Sequence, residues 1–267
     1  MPRSNGAQRT RSPVTSPAGQ ALFRAKALAT SASLAEAPLL PNPVPQERLR
    51  VLHVGCGFNS SNRLHAVFKT PQWEEISLDI DSRTQPDISG SIVDMRSYAE
   101  DESCDAIWAS HVLEHLPRHD VGRALAEFRR VLVPSGFALI RTPDIESVAQ
   151  FIVEGRIHDT IYTSPAGPIT PLDMLYGHGE SIKRGSDAMR HGTAFTQDSM
   201  AQDLLQAGFG ELRATRTKTY EVWAIAFMPD ADVQAILNAL AFSGMDLRNA
   251  RGSEIEVLEN LVYPRRP

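Results

Sequence analysis

The chain has 267 residues, of which 42% are hydrophobic and 22% charged, and its formal net charge is −5. That length holds one or two domains with a sizeable core, and the acidic balance argues against a chain-wide basic coat for nucleic acid. Two cysteines, Cys56 and Cys104, are too few for a disulfide framework or a cysteine-rich zinc site and suit a reducing, cytoplasmic setting. No apolar run approaches the ~18 residues of a membrane span.

Residues 1–46 stand apart. Residues 1–35 lack Asp and Glu and carry Arg3, Arg9, Arg11, Arg24 and Lys26, before Pro38, Pro41, Pro43 and Pro45. They read as a disordered tail with one short helix near 20–36 and an extended proline-rich linker. The alternative for an Arg- and Ser-rich, acid-poor start is a transit peptide for organelle import.

The elements then alternate. Arg50–Val54 reads as a buried strand ending in Gly55-Cys56-Gly57, and Ser61–Lys69 as a helix with Leu64, Val67 and Phe68 on one face. Glu75–Ile80, Ser91–Val93 and Cys104–Ser110 read as further strands. Asp120–Leu132 has apolar residues at helical spacing (Val121, Leu125, Phe128, Leu132), and Pro134-Ser135-Gly136 stops it. Phe137–Arg141 is a fifth strand, followed by a helix through Phe151. Residues 153–195 break the alternation and read as a lid or a disordered insertion. A helix face at Met200, Leu204 and Ala207 and two tightly joined strands, Glu211–Tyr220 and Val222–Met228, close the pattern. Residues 229–267 read as two short helices, Ala231–Ala241 and Glu254–Leu261.

Strands alternating with helices imply an α/β fold with a mostly parallel sheet and helices on both faces. The strand ends then gather on one edge, bringing together Gly55, Gly57, Asp79, Asp94, His111 and Asp144. Glycines directly after the first strand let a ligand lie against bare backbone. Asp79, 22 residues after Gly57, suits a carboxylate accepting from ribose hydroxyls. A dinucleotide fingerprint wants a glycine where Ser60 stands, which counts against a nicotinamide-dependent oxidoreductase.

Over residues 48–228 the chain resembles class I S-adenosylmethionine (SAM)-dependent methyltransferases. The resemblance rests on VLHVGCG (51–57), SLDID (77–81), Asp94-Met95, DESCDAIWASHVLEHL (101–116) and RRVLVPSGFALIRTPD (129–144). It implies a Rossmann-like, seven-stranded sheet with an antiparallel C-terminal strand and SAM as cofactor. Gly55 and Gly57 would approach the amino-acid part of SAM, Asp79 would bind the ribose, Asp94 would accept from the adenine amino group, and Met95 would pack on the ring. Ser110 and His111 would lie near the sulfonium. Position 53, where the family has Asp or Glu to hold the SAM amino group, is His53, a cofactor-binding candidate that in its neutral form can accept one hydrogen bond, and a glycine usual at position 59 is Asn59. The Asn-Pro-Pro-aromatic motif of nucleic-acid amino-methyltransferases is absent, which argues against methylation of bases.

The expected activity is methyl transfer to a small-molecule, saccharide or lipid-linked acceptor, at oxygen. A hydroxyl acceptor needs a base; the candidates are His111, then His178 or His191 from the insertion. The plain alternative for His111 is a helix cap. Glu114 and His115 read as groups that fix local structure. His111, His115 and His119 recur every four residues, but Pro117 interrupts them and no metal is expected. Tyr176, His178 and Glu180 are the densest polar group of the insertion. The rival expectation is a degenerate SAM-binding protein without catalysis, suggested by His53 and Asn59. The expected domains are a leader and linker over 1–46, a methyltransferase domain over 47–228 and a helical extension over 229–267, with the oligomeric state open.

Overall fold

The computed structural model describes residues 48–248 and 250–252; the expectations for residues 1–46 and for a helix over 254–261 lie outside the described residues. β1 (Leu49–Val54) carries a buried apolar run and pairs in parallel with β2 (Trp73–Asp79) and with β4 (Cys104–Ser110). A two-residue β3 (Ile88–Ser89) extends the sheet beside β2. Between β1 and β2 lie only a single turn, α1 (Ser60–Arg63), and a 3-10 turn at Ala66–Phe68. The expected continuous helix over 61–69 is therefore broken. Leu64 is extended, and the His65 side chain accepts from the Val67 N–H to start the second turn. The expected strand at Ser91–Val93 is likewise corrected to Ile88–Ser89, where Gly90 N–H donates to Asp79 O and Asp87 holds Ser77.

α2 (Arg118–Val131) buries Val121, Ala124, Leu125 and Phe128 on one face, as its spacing dictates. Its C-terminus runs directly into β5 (Leu132–Pro143). Pro134-Ser135-Gly136 does not end the helix; it lies in an irregular stretch of β5 where the register against β4 jumps from Leu132 to Phe137. α3 (Ile145–Val153) follows. Residues 153–195 hold a hairpin of β6 (Tyr162–Ser164) and β7 (Gly167–Ile169), then α4 (Pro171–Tyr176) and α5 (Gly179–Lys183). α6 (Gln197–Gln206) starts at a Thr196/Ser199 capping box and leads into the hairpin of β8 (Glu211–Arg216) and β9 (Glu221–Phe227). α7 (Val233–Phe242) and a two-residue β10 (Arg251–Gly252) complete the described chain.

The sheet order is β10-β8-β9-β5-β4-β1-β2-β3. Apart from the short β10 added at one edge, this is the expected seven-stranded sheet: β9 is antiparallel to both of its neighbours, and the five strands from β1 to β5 are parallel. Alternation along the strands sends Ile107 and Ile140 to the face covered by α2 and α6, and Trp108 and Leu139 to the face covered by α7. Each fully buried side chain of this size stabilises by about 1.5–3 kcal/mol. Among the described residues no helix is long and apolar enough to cross a membrane.

Candidate active site

The carboxyl ends of the parallel strands meet at one edge. β1 runs into a turn in which Gly55 and Gly57 have φ of +61° and +63°. A Cβ on Gly55 would strike Val112 Cγ2 at 2.5 Å, and one on Gly57 would meet the Arg63 guanidinium at 2.9 Å. At Gly55 only glycine meets both demands, a left-handed backbone and close approach, whereas at Gly57 the left-handed backbone is the stronger demand because the Arg63 side chain can move aside. The result is bare main chain with a cation lying on it.

Asp79 ends β2 beneath this turn. Its Oδ2 accepts from Gly57 N–H at 2.8 Å and its Oδ1 from Asp81 N–H at 2.8 Å. Each oxygen keeps a further lone pair for a hydroxyl donor. Asp94 lies in a turn with its side chain 56% exposed and loosely paired with Arg96.

Two expected contacts are corrected. His53 is 1% exposed inside the sheet, and its Nδ1 donates to Glu75 Oε1 at 2.7 Å. Burial holds its pKa below the ordinary histidine value despite that carboxylate, so it is a neutral, enclosed partner of Glu75 rather than a group facing the crevice. Met95 is fully buried in the core beside α2, and its N–H donates to Glu127 Oε2 at 2.6 Å. Its side chain is core packing and is not offered to a ring in the crevice.

At the ends of β4, β5 and β9 the structure brings together a chain of charges. His111 has φ +54° and donates from Nδ1 to Glu114 Oε1 at 3.2 Å and from Nε2 to Glu221 Oε1 at 2.9 Å. With a carboxylate against each nitrogen, the imidazole carries both protons. Burial disfavours that cation, but hydrogen bonds to Glu114 and Glu221 outweigh it and push the pKa up to about 9. The expected general base is thus a doubly committed donor at neutral pH. Glu221 is correspondingly held down at about 2: burial opposes its charge, and His111 and Arg141 outweigh burial. Arg141 donates from Nε to Ser110 Oγ at 2.7 Å, stands 3.6 Å from Glu221 and lies over the rings of Trp108 and Trp223.

Arg63, Arg141 and Glu221 were missed by sequence reading. Arg141 had a signal, a lone charge in the apolar run FALIRTP. Glu221 sat in the expected hairpin turn; it reaches this edge because β9 is antiparallel, pairing Glu221 with Pro143 and Trp223 with Arg141. Asp144 is buried as the cap of α3 and is held by Arg216 at 2.6 Å. Of the insertion's polar group, His178 pairs with Ser181 and Glu180 with Lys183, each within its own turn. The Cys56 thiol is pushed up to about 11, chiefly by burial, so no thiolate nucleophile stands in the glycine turn.

Residues 52–140, which span the glycine turn, Asp79, Asp94 and the end of β4, match the family model described as a methyltransferase domain. This stretch of the chain is thus methyltransferase-like in sequence, as the resemblance read from residues 48–228 implies. That match implies S-adenosylmethionine as the cofactor and counts against the nicotinamide alternative. The chain is similar to solved SAM-dependent methyltransferases from Aquifex aeolicus (12% identity, 68% of this chain and 85% of that one, TM-score 0.45) and Archaeoglobus fulgidus (14%, 67% and 86%, 0.44). A third, from Methanosarcina mazei, shares 16% identity over 68% of this chain and 94% of that one, with a TM-score of 0.44. Comparison with curated proteins gives no match. The residues at this edge are of a kind that fits such a cofactor: main chain left bare by glycine, a carboxylate with spare lone pairs, and a guanidinium beside them.

Proposed function

We propose that this methyltransferase moves the methyl group of SAM to an oxygen of a small-molecule, saccharide or lipid-linked acceptor. The observation that carries the reading is the polar array at the end of β4, where Ser110, His111, Glu221 and Arg141 are joined by hydrogen bonds or close charge contacts. The segment Ser110-His111-Val112 stands where base-directed enzymes of this class carry Asn-Pro-Pro-aromatic.

In this reading Gly55 and Gly57 line the amino-acid part of the cofactor and Arg63 holds its carboxylate. Asp79 accepts from the ribose hydroxyls and Asp94 from the adenine amino group. When bound, SAM supplies an activated methyl on a sulfonium. The protein's task is alignment and exclusion of water. His111 and Arg141 fix the Glu221 carboxylate and the Ser110 hydroxyl at the reacting edge. A hydroxyl acceptor therefore loses its proton, at neutral pH, to a group other than His111. Residues 153–195 shape the acceptor side around the domain proposed for 47–228. Two buried, unpaired cysteines support a cytoplasmic setting.

A second reading, a SAM-binding protein without turnover, is favoured by His53, which is enclosed with Glu75 where the family places a crevice carboxylate. One experiment separates the two. Calorimetric titration with SAM and S-adenosylhomocysteine, with NADPH as control, is followed by transfer of labelled methyl across hydroxyl and carboxylate acceptors. The expected result is micromolar binding, weakened about tenfold or more by Asp79→Asn, and label recovered on oxygen. Binding without transfer across the panel moves the conclusion to the second reading. Label on nitrogen or carbon overturns the oxygen assignment.

A further inference from the structure

We propose that Glu114, His115 and His191 form a binding site for a divalent transition-metal ion of the zinc class. One oxygen of Glu114 and one nitrogen of each imidazole lie within 4.8 Å of one another. The first two residues come from the turn after β4 and the third from the end of the insertion, 76 residues later.

The hydrogen bonding makes this cluster rich in lone pairs. His115 Nδ1 meets the Arg190 carbonyl at 3.1 Å, and His191 Nδ1 meets the Met174 carbonyl at 2.9 Å. A carbonyl only accepts, so both Nδ1 atoms carry the proton and both Nε2 atoms are left with a lone pair. This outer hydrogen bond to a main-chain carbonyl is the arrangement that orients metal-binding imidazoles. The two rings meet edge to face, 5.0 Å apart. Glu114 is 2% exposed; its Oε1 accepts from His111, and its Oε2 is buried with no hydrogen-bond partner. The cluster therefore offers three acceptors, two unprotonated imidazole nitrogens and an unpaired carboxylate oxygen, with no proton to share. Burying an unsatisfied carboxylate oxygen is unfavourable, and a cation answers all three at once.

The main chain already holds the pieces in place. Gly192 and Thr193 N–H both donate to the Glu114 carbonyl, at 2.8 and 3.1 Å, and His191 N–H donates to the Tyr176 carbonyl at 3.2 Å. Gly192 leaves no room for a side chain, since a Cβ would sit 2.6 Å from the Leu116 carbonyl oxygen. Two imidazoles and a carboxylate suit zinc-class ions, and three protein ligands leave a coordination position open. Such an ion would fasten the insertion to the turn that follows β4.

The repeat of histidines in the sequence pointed elsewhere. His119 is 81% exposed beside Asp120, and His111 lies between two carboxylates, so neither joins the cluster.

The test uses the full chain, freed of any histidine tag and stripped with a chelator. It is titrated with Co2+, read by visible absorption, and then with Zn2+ as competitor. The expected result is one Co2+ per chain at micromolar concentration, showing ligand-field bands that Zn2+ abolishes. His191→Ala and His115→Ala should each weaken uptake by more than the ~10–100-fold typical of losing an outer partner, while His119→Ala keeps it. Circular dichroism confirms that each variant is folded, and His191→Gln serves where His191→Ala is not. Absence of stoichiometric uptake by the unaltered chain overturns the proposal, as does uptake unchanged in the folded His115 and His191 variants.

Discussion

Arg63 and His111 are single residues whose surroundings set what their removal does. The Arg63 guanidinium stands beside Gly57, and the charge-assisted hydrogen bond proposed from it to the cofactor's carboxylate would be worth about 1.5–3 kcal/mol. Arg63→Ala should therefore weaken SAM binding about tenfold or more in a calorimetric titration, with little change in melting temperature, because the side chain lies at the surface of a one-turn helix. Unchanged affinity would remove Arg63 from the cofactor site. His111 acts on stability instead. Its side chain is 37% exposed, but the Glu114 carboxylate it neutralises is enclosed. Burial opposes the Glu114 charge, yet its pKa is held down by the His111 hydrogen bond and charge. Taking away one partner of a buried pair leaves the other charged and unpaired, and the partial exposure of His111 reduces that cost. His111→Ala should destabilise the fold by about 1–3 kcal/mol in urea titrations at pH 7. Stability equal to that of the unaltered chain would show that Glu114 finds another partner.

At the scale of elements, some segments could be read from sequence and others could not, for separable reasons. β4 is found over the expected Cys104–Ser110 because seven consecutive positions are buried or half-buried against neighbours on both sides. α2 was legible because Val121, Leu125 and Phe128 all face one core. Leu64, Val67 and Phe68 share that spacing, yet the chain breaks between them. Phe68 must reach the ring of Trp73 at 4.9 Å and that of Phe137 at 6.0 Å, contacts set by partners that local periodicity does not reveal. The break leaves His65 as a cap among Trp108, Trp223 and Phe68. Burial, then the charges of Arg141 and Lys69, lower its pKa to about 4, and its Nδ1 must be unprotonated to accept from Val67 N–H. Between the ordinary value of 6.5 and about 4 the unfolded chain binds the extra proton and the folded chain does not. The His65 contribution is thus complete above pH 6.5 and is lost as pH falls towards 4, amounting to at most about 3 kcal/mol. His65→Asn, which keeps a capping oxygen without the titration, should lose less stability between pH 7 and pH 4.5 in urea unfolding. Parallel losses in the two proteins would show that His65 protonates freely in the fold.

Across the whole molecule, what sequence reading did not reach lies in contacts between distant segments. The glycine turn and Asp79 are separated by one short unit and were legible together. Glu221 meets His111 across 110 residues, and only the reversed direction of β9 puts it there. A similar long tie holds the layer beneath. Arg118, at the start of α2, forks onto Asp203 of α6 through two bonds of 2.6 Å, and Asp203 is buried. α2 begins just after the His111–His115 turn, and α6 leads into the hairpin that carries Glu221, so this pair sets the spacing of two segments that meet at the active edge. Arg118 is itself more than half exposed, which limits the Coulombic gain, but its loss strands an enclosed carboxylate. Arg118→Ala should destabilise the fold by about 1–3 kcal/mol, a fall of roughly 2–4 °C in melting temperature for each kcal/mol in a chain of this size. Arg118→Lys should recover only part, since an ammonium cannot span both oxygens. A double-mutant cycle with Asp203→Asn isolates the pair: coupling near zero would mean that α2 and α6 are held by their apolar faces alone, whereas coupling of about 1 kcal/mol or more would make the fork a determinant of how the lower layer is set.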